Sequence, residues 1–267
     1  MNSFAGVETP GHLRSKFQRH PISMRCHFEH SLVIAWALPN AVLAPLVPPG
    51  LVLDTYDDSW GFVAVAAVQT RSLRPVGLPE CLGRDYALTG YRIFVRHTDR
   101  HGRTRRGLHI LRSDTDKWTM KFGGNALTHY RYRHADIEIT PASGSLVVTV
   151  DSPRGDADLG VVADLDDRPA GLPASSPFRS ELDARRFAGP LPWTFDYEPH
   201  TESIVMIHGR RSNWRPRPTH VDVRQCTFLE QAPFAAVEPR LANAFHVTSV
   251  DYEWERGVRV AAVEEAA

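Results

Sequence analysis

Lysine is nearly missing from this chain. Of its 31 Lys and Arg residues, only Lys16, Lys117 and Lys121 are lysine, which limits Schiff-base chemistry to three positions. The arginine excess, with abundant alanine, suggests a GC-rich genome. Cysteine is equally scarce: Cys26, Cys81 and Cys226 stand far apart, which excludes a disulfide framework or a zinc ribbon. Reduced thiols fit a cytoplasmic chain. Thiolate catalysis is not expected of any of the three. No run of 18 apolar residues occurs, so no membrane-spanning helix is expected. Charge of one sign is absent too. The 31 acidic residues cancel the 31 basic ones, without the basic footprint of a nucleic-acid or membrane-surface protein. There is no G-x-S-x-G elbow, P-loop or G-x-G-x-x-G fingerprint, so no phosphate-bearing cofactor is expected.

What remains is a 267-residue chain with 42% apolar content, enough for one sizeable core. Residues 1–24 lack the order of a signal peptide and read as a flexible leader. The domain is expected over 25–260, and 261–267 as an exposed tail. Strands are expected at 27–37, 51–55 and 60–73, the last apolar throughout and therefore buried on both faces. A short helix capped by Asn40 separates the first two. Tyr91, Ile93 and Val95 alternate with Arg92, Phe94 and Arg96, the period of a strand over 86–98, and 107–114 returns as its partner. Trp118, Met120 and Phe122 share a face if 118–122 is a strand. Gly123-Gly124-Asn125 is a turn or the start of a helical turn or two. A hairpin turns at 141–144. Residues 153–176 look least structured, 177–187 helical, and strands follow at 193–198, 202–209 and 219–229. A helix at 237–244 and a strand at 245–255 close the chain. Many antiparallel strands with few short helices make an α+β fold.

The run W-x-L-P-N-x-V-L-A-P-L-V-P-P-G-L-V-L-D (36–54) and GFVAVAAVQTRSLRPVGLP (61–79) resemble the opening of the DUF2071 family. That family is a branch of the acetoacetate decarboxylase-like superfamily. GYRIFVRH (90–97), GLHILRSD (107–114), FRSELDARRF (178–187), IHGRRSNWRPRPTHVDV (207–223) and FHVTSVDYEWERGVRV (245–260) continue the likeness. It implies a cone-shaped antiparallel β-barrel around an internal pocket. It also implies, in the decarboxylases, a lysine that forms a Schiff base with a β-keto acid. The matching segment, NALTHYRY (125–132), holds Leu127, Thr128, His129 and Tyr130, and no lysine. The glutamate that the decarboxylases carry before the Arg92 strand is also absent, with Leu88 or Thr89 in its place. Both departures argue against Schiff-base decarboxylation.

Lys117 follows Asp114 and Asp116, which favour its ammonium form, so it reads as a turn residue. Lys121 becomes a candidate amine only if its strand face looks into the pocket; an exposed lysine is the commoner outcome. His129 and Tyr130, where the superfamily lysine would stand, offer proton transfer and oxyanion stabilisation, against an equal case for packing. Arg92 lies between apolar residues and needs an acidic partner, either a ligand carboxylate or, more commonly, a structural Asp or Glu. Arg96 shares its face. His109, Trp118 and Thr128 are candidate ligand contacts. His27, His30, His109, His208, His220 and His246 show no metal-binding spacing, so no metal is expected. The tryptophans divide between core and pocket wall, and an aromatic wall suits an apolar ligand.

These residues lead to an enzyme acting on a small carbonyl or β-keto compound by acid/base chemistry: decarboxylation, dehydration or cyclisation. Its catalytic residues would be His129, Tyr130, Arg92 and, in a minor version, Lys121. The alternative is a ligand-binding protein of the same fold. An exposed edge strand leaves a homodimer open.

Overall fold

The computed structural model describes residues 17–166, 170–189 and 191–262. Most of the expected leader therefore lies outside the described residues. Of its end, His20 is buried, and Arg19 reaches Glu198. Strands β1 (Met24–Pro39), β3 (Trp60–Pro75), β4 (Arg84–Thr98) and β5 (Thr104–Thr115) form an antiparallel run, with β2 (Val52–Leu53) added beside β4. Short β6 (Arg133–His134) lies on β5. β7 (Asp136–Ala142), β8 (Ser145–Asp151), β9 (Leu159–Asp164) and β13 (Val221–Cys226) make a separate four-stranded sheet. β10 (Trp193–Glu198), β11 (Ser203–Arg211), β12 (Arg217–Pro218), β14 (Arg240–Trp254) and β15 (Val258–Ala261) complete the main sheet. Its order is β12-β14-β1-β3-β4-β5-β10-β11-β15, and β11 pairs back to β14, which closes the path into a ring. This is the mostly antiparallel, cone-like fold expected of the superfamily.

The two sheets explain the sequence patterns. The four-stranded sheet packs Leu146, Val148 and Val161 against Ile34, Val65 and Ile93 on one face of the ring strands. The other face of β1, β3 and β4 surrounds the interior of the ring. Strands buried on both sides read as unbroken apolar runs, as in GFVAVAAV. Strands β7 and β8 expose one side and alternate.

Several elements differ from expectation. Residues 118–122 begin helix α2 (Trp118–Leu127), which runs through Gly123-Gly124; helix α1 (Asn40–Leu43) precedes it. A Cβ at Gly124 would lie 2.6 Å from the Tyr132 ring, so this glycine serves close packing rather than a turn. Asn40 does not cap α1 but donates to the Asp58 carbonyl at 2.7 Å. β9 lies inside the segment expected to be least structured, because its Leu159, Val161 and Ala163 find a partner sheet far away in sequence. The helix expected at 237–244 is mostly the start of β14, which pairs with β1. Val258–Ala261, which runs into the segment expected as an exposed tail, pairs with β11. Helix α3 (Glu181–Ala188) is capped by Ser180, whose hydroxyl accepts from the Asp183 amide. Among the described residues no helix is long and apolar enough to cross a membrane.

Candidate functional site

The ring encloses a cavity of about 130 Å³ walled by apolar residues such as Ala64, Ala66, Phe94 and Ile110. Arg92 enters it from β4. Opposite, Tyr91 pairs with Arg112 but Arg92 pairs with Ile110, so Leu111 is an extra residue on β5. This bulge lies beside the position where Arg92 turns inward. Arg92 makes no ion pair among the described residues, and its Nε is buried without a hydrogen-bond partner. Arg112 is the contrast. It too is buried, but Asp114 lies 2.8 Å from its Nε and Asp156 lies 2.7 Å from its Nη1. The expectation of a structural carboxylate for Arg92 is therefore not met. Burial lowers its pKa, while the phenols of Tyr252, Tyr132 and Tyr130 act the other way.

Those phenols gather because their backbone is pinned. Asn125 on α2 accepts from the Tyr132 amide at 2.6 Å and donates to its carbonyl at 2.9 Å. Thr128 ends the same helix, donating to the Gly124 carbonyl at 2.8 Å and accepting from the Tyr130 amide at 3.3 Å. Tyr130 and Tyr132 then meet edge to face at 6.0 Å. Burial pushes both phenols up, so both stay neutral proton donors at neutral pH. On the far wall the Arg211 guanidinium lies 4.7 Å from the Trp214 ring and donates to the Leu191 carbonyl at 2.9 Å.

The polar atoms left over share one character. Around the cavity, Arg92 Nε, Arg211 Nε, Trp214 Nε1, the Tyr130 hydroxyl and Thr89 Oγ1 are buried without partners. The first three can only donate. No described residue lining the cavity is Asp, Glu, His or Lys. The site is thus a positively charged set of donors in an apolar wall, chemically complementary to negative charge and oxygen acceptors.

Of the candidate site residues, Arg92 and Tyr130 line this cavity and the others do not; Leu88 and Thr89, in the place of the decarboxylase glutamate, line it as well. His129 lies outside, half-buried; burial lowers its pKa while Glu198 raises it. Thr128 is a capping residue. His109 hydrogen-bonds the Phe195 carbonyl at 3.0 Å and is held below its usual pKa by burial. Arg96 lies 3.5 Å from Asp54, away from the cavity, because the Asp54 loop covers that end of β4. Lys121 sits on α2 with its ammonium 4.3 Å from the Trp118 ring, and Trp118 itself is 51% exposed and stacks on His134. Helical geometry at 118–122 takes both out of the pocket. Lys117 donates to the Asp85 carbonyl at the surface. Among the described residues no three metal-ligating side chains converge.

Sequence reasoning did not single out Tyr132, Arg211 or Tyr252, and it left Trp214 and Trp254 undivided among the tryptophans. Two signals were available. Tyr130 with Tyr132, and Tyr252 with Trp254, are spaced by two, and on β14 that spacing puts the second pair on one strand face. Behind Tyr130 stands Asp196 on β10, two residues beyond the cavity-lining Thr194. Its Oδ2 has no hydrogen-bond partner, and burial pushes its carboxyl up to about 6.

Solved structures with this fold include acetoacetate decarboxylase from Legionella pneumophila, with TM-score 0.61 and 15% identity, covering 90% of this chain and 88% of that one. An acetoacetate decarboxylase-like enzyme from Sphingomonas wittichii gives 0.58 at 16% identity, covering 91% and 94%. The enduracididine biosynthesis enzyme MppR, in complex with pyruvate, gives 0.56 at 12%, covering 96% and 93%. At these identities the likeness speaks for the fold. No curated protein matches the sequence. The model of the DUF2071 family, described as an uncharacterised conserved protein, matches residues 25–251, and the chain belongs to that family.

Proposed function

We propose that this chain is a small-molecule enzyme that decarboxylates a β-keto acid, or a close relative of one, without a Schiff base. The observation that carries this reading is the Arg92 guanidinium, enclosed in an apolar cavity with no protein carboxylate to answer it. Similarity of fold to a decarboxylase and to a pyruvate-binding enzyme is in keeping with it.

Among the reactions open to a carbonyl pocket, decarboxylation asks least of a site without a base. The bond between the α-carbon and the carboxylate breaks and carbon dioxide leaves. The electron pair moves onto the keto oxygen, which becomes an enolate, and a proton then adds to the carbon. Dehydration and cyclisation begin by removing a proton, and no described cavity residue is a base. Arg92 and the neutral Tyr130 hydroxyl supply donors to the oxygen where charge develops. The same reading takes the chain as cytoplasmic, with this ligand rather than nucleic acid or membrane as its partner.

The test is turnover of acetoacetate and longer β-keto acids, followed by carbon dioxide release. The expected result is acceleration that falls about 10²–10³-fold in Arg92→Met and by a smaller factor in Tyr130→Phe. Borohydride with substrate is expected to leave Lys121 unmodified. Turnover at the buffer rate in the unaltered protein sinks the enzyme reading for those substrates. The absence of a base favours a second reading, a binding protein of this fold; it predicts ligand-induced thermal stabilisation, lost in Arg92→Met, with no turnover.

A further inference from the structure

The cavity holds more positive charge than one acid group answers. Arg92 and Arg211 both line it, and the Arg211 charge adds to burial in lowering the pKa of Arg92. Neither makes an ion pair among the described residues. Their surroundings differ. Arg92 is enclosed by the ring. Arg211 stands at the wall between the cavity and a wide outer groove, which it lines with Tyr252. The groove also carries Glu80, Asp251 and Glu253, of which Asp251 pairs with His27 at 2.9 Å and Glu253 with Arg25 at 3.0 Å. Trp214 and Tyr252 flank the Arg211 guanidinium at 4.7 Å and 5.6 Å, which holds it flat at the wall, and the buried Trp214 Nε1 beside it also lacks an acceptor.

From this arrangement we infer that the ligand is a dianion, a small keto diacid. The reacting keto oxygen lies at Arg92, and a second, non-reacting carboxylate lies at Arg211 and Trp214 Nε1. The inference rests on the proposed function and narrows it. Two guanidinium groups in an apolar cavity cost desolvation that one carboxylate offsets only in part. The cavity of about 130 Å³ restricts the diacid to a small one. The division of labour is also chemically sound. A donor placed on the leaving carboxylate would stabilise the ground state, whereas an anchor on the remote carboxylate fixes the substrate without opposing bond cleavage.

The experiment compares equilibrium binding, by calorimetry at constant ionic strength, of length-matched acids with one or two carboxylates: pentanoate against glutarate, and 3-oxopentanoate against 3-oxoglutarate. In the unaltered protein the diacid is expected to bind at least ten-fold tighter than its monoacid partner. In Arg211→Gln that ratio is expected to collapse toward one, and Arg211→Lys is expected to recover part of it. Circular dichroism and thermal melting establish that each variant is folded. A ratio near one in the unaltered protein, or a preference that survives in Arg211→Gln, overturns the dianion inference while leaving the Arg92 reading standing. Failure of all four acids to bind overturns both.

Discussion

At the scale of single residues, the site depends on aromatic rings held where the backbone leaves them room. Gly124 is the test case. Alanine is favoured over glycine in a helix interior by about 1 kcal/mol, so Gly124→Ala on α2 would ordinarily stabilise. Here the new Cβ would sit 2.6 Å from the Tyr132 ring, and Asn125 holds the Tyr132 backbone from both sides, so the ring has little freedom to withdraw. The steric effect is expected to win. Gly124→Ala should lower the melting temperature and weaken acid binding several-fold, measurable by thermal melts and by calorimetry. A more stable variant with unaltered binding would show that Tyr132 does not shape the cavity.

At the scale of elements, pairing between strands carries buried titratable groups. His30 on β1 and His246 on β14 face each other, with Nδ1 of one 3.1 Å from Nε2 of the other. Burial lowers His246 from 6.5 to about 4 and His20, just before β1, from 6.5 to about 4. Below pH 6.5 the unfolded chain takes up protons that the folded chain refuses, so these histidines cost stability as the pH falls from 6.5 toward 4. Asp196 acts in the opposite sense, since burial raises its carboxyl from 3.8 to about 6 and the folded chain takes its proton first. Burial lowers His30, His109 and His129 in the same sense and raises Asp54, Asp114 and Asp116 as it does Asp196. Because the unfolded histidines begin to take protons near pH 6.5 and Asp196 only near 6, urea midpoints are expected to fall between pH 7.5 and 5, and to fall less in His246→Gln. The elements also show what was legible in the sequence. Strands β3, β4 and β5 could be read because burial on two faces leaves unbroken apolar runs, and alternation marks one-sided burial. The start of β14 could not, because residues 240–244 become a strand by pairing with β1 some two hundred residues earlier. Arg92 was legible as a charge in an apolar strand. That it lacks a carboxylate was not, since this depends on where every acidic residue of the fold ends up. His129 was drawn from likeness to the decarboxylases alone, and the turn at Thr128 sends it outside the cavity.

At the scale of the whole molecule, the ring is fastened unevenly. Its long seams, such as β1 with β3 and β4 with β5, run over most of each strand. The seam between β11 and β14 consists of Gly209, Arg210 and Arg211 paired with Trp254, Glu253 and Tyr252. A short seam opens at lower free energy than a long one, so its amides, with those of the equally short seam between β5 and β10, are expected to exchange hydrogen fastest among the ring strands. The same short stretch supplies Arg211, Tyr252 and Trp254 to the cavity wall. A ligand gripped by both β4 and β11 would then act as a clasp beside one of the two short joins. Saturating acid should slow exchange at residues 209–211 and 252–254 more than elsewhere, and at a hundred times its dissociation constant should add about 2.7 kcal/mol to the stability of the whole barrel. Uniform slowing, or none at the seam, would show that the join is not coupled to the cavity. The place where this ring closes on itself is thus also where the proposed ligand would lie, so occupancy and mechanical integrity would become one quantity, readable from either side.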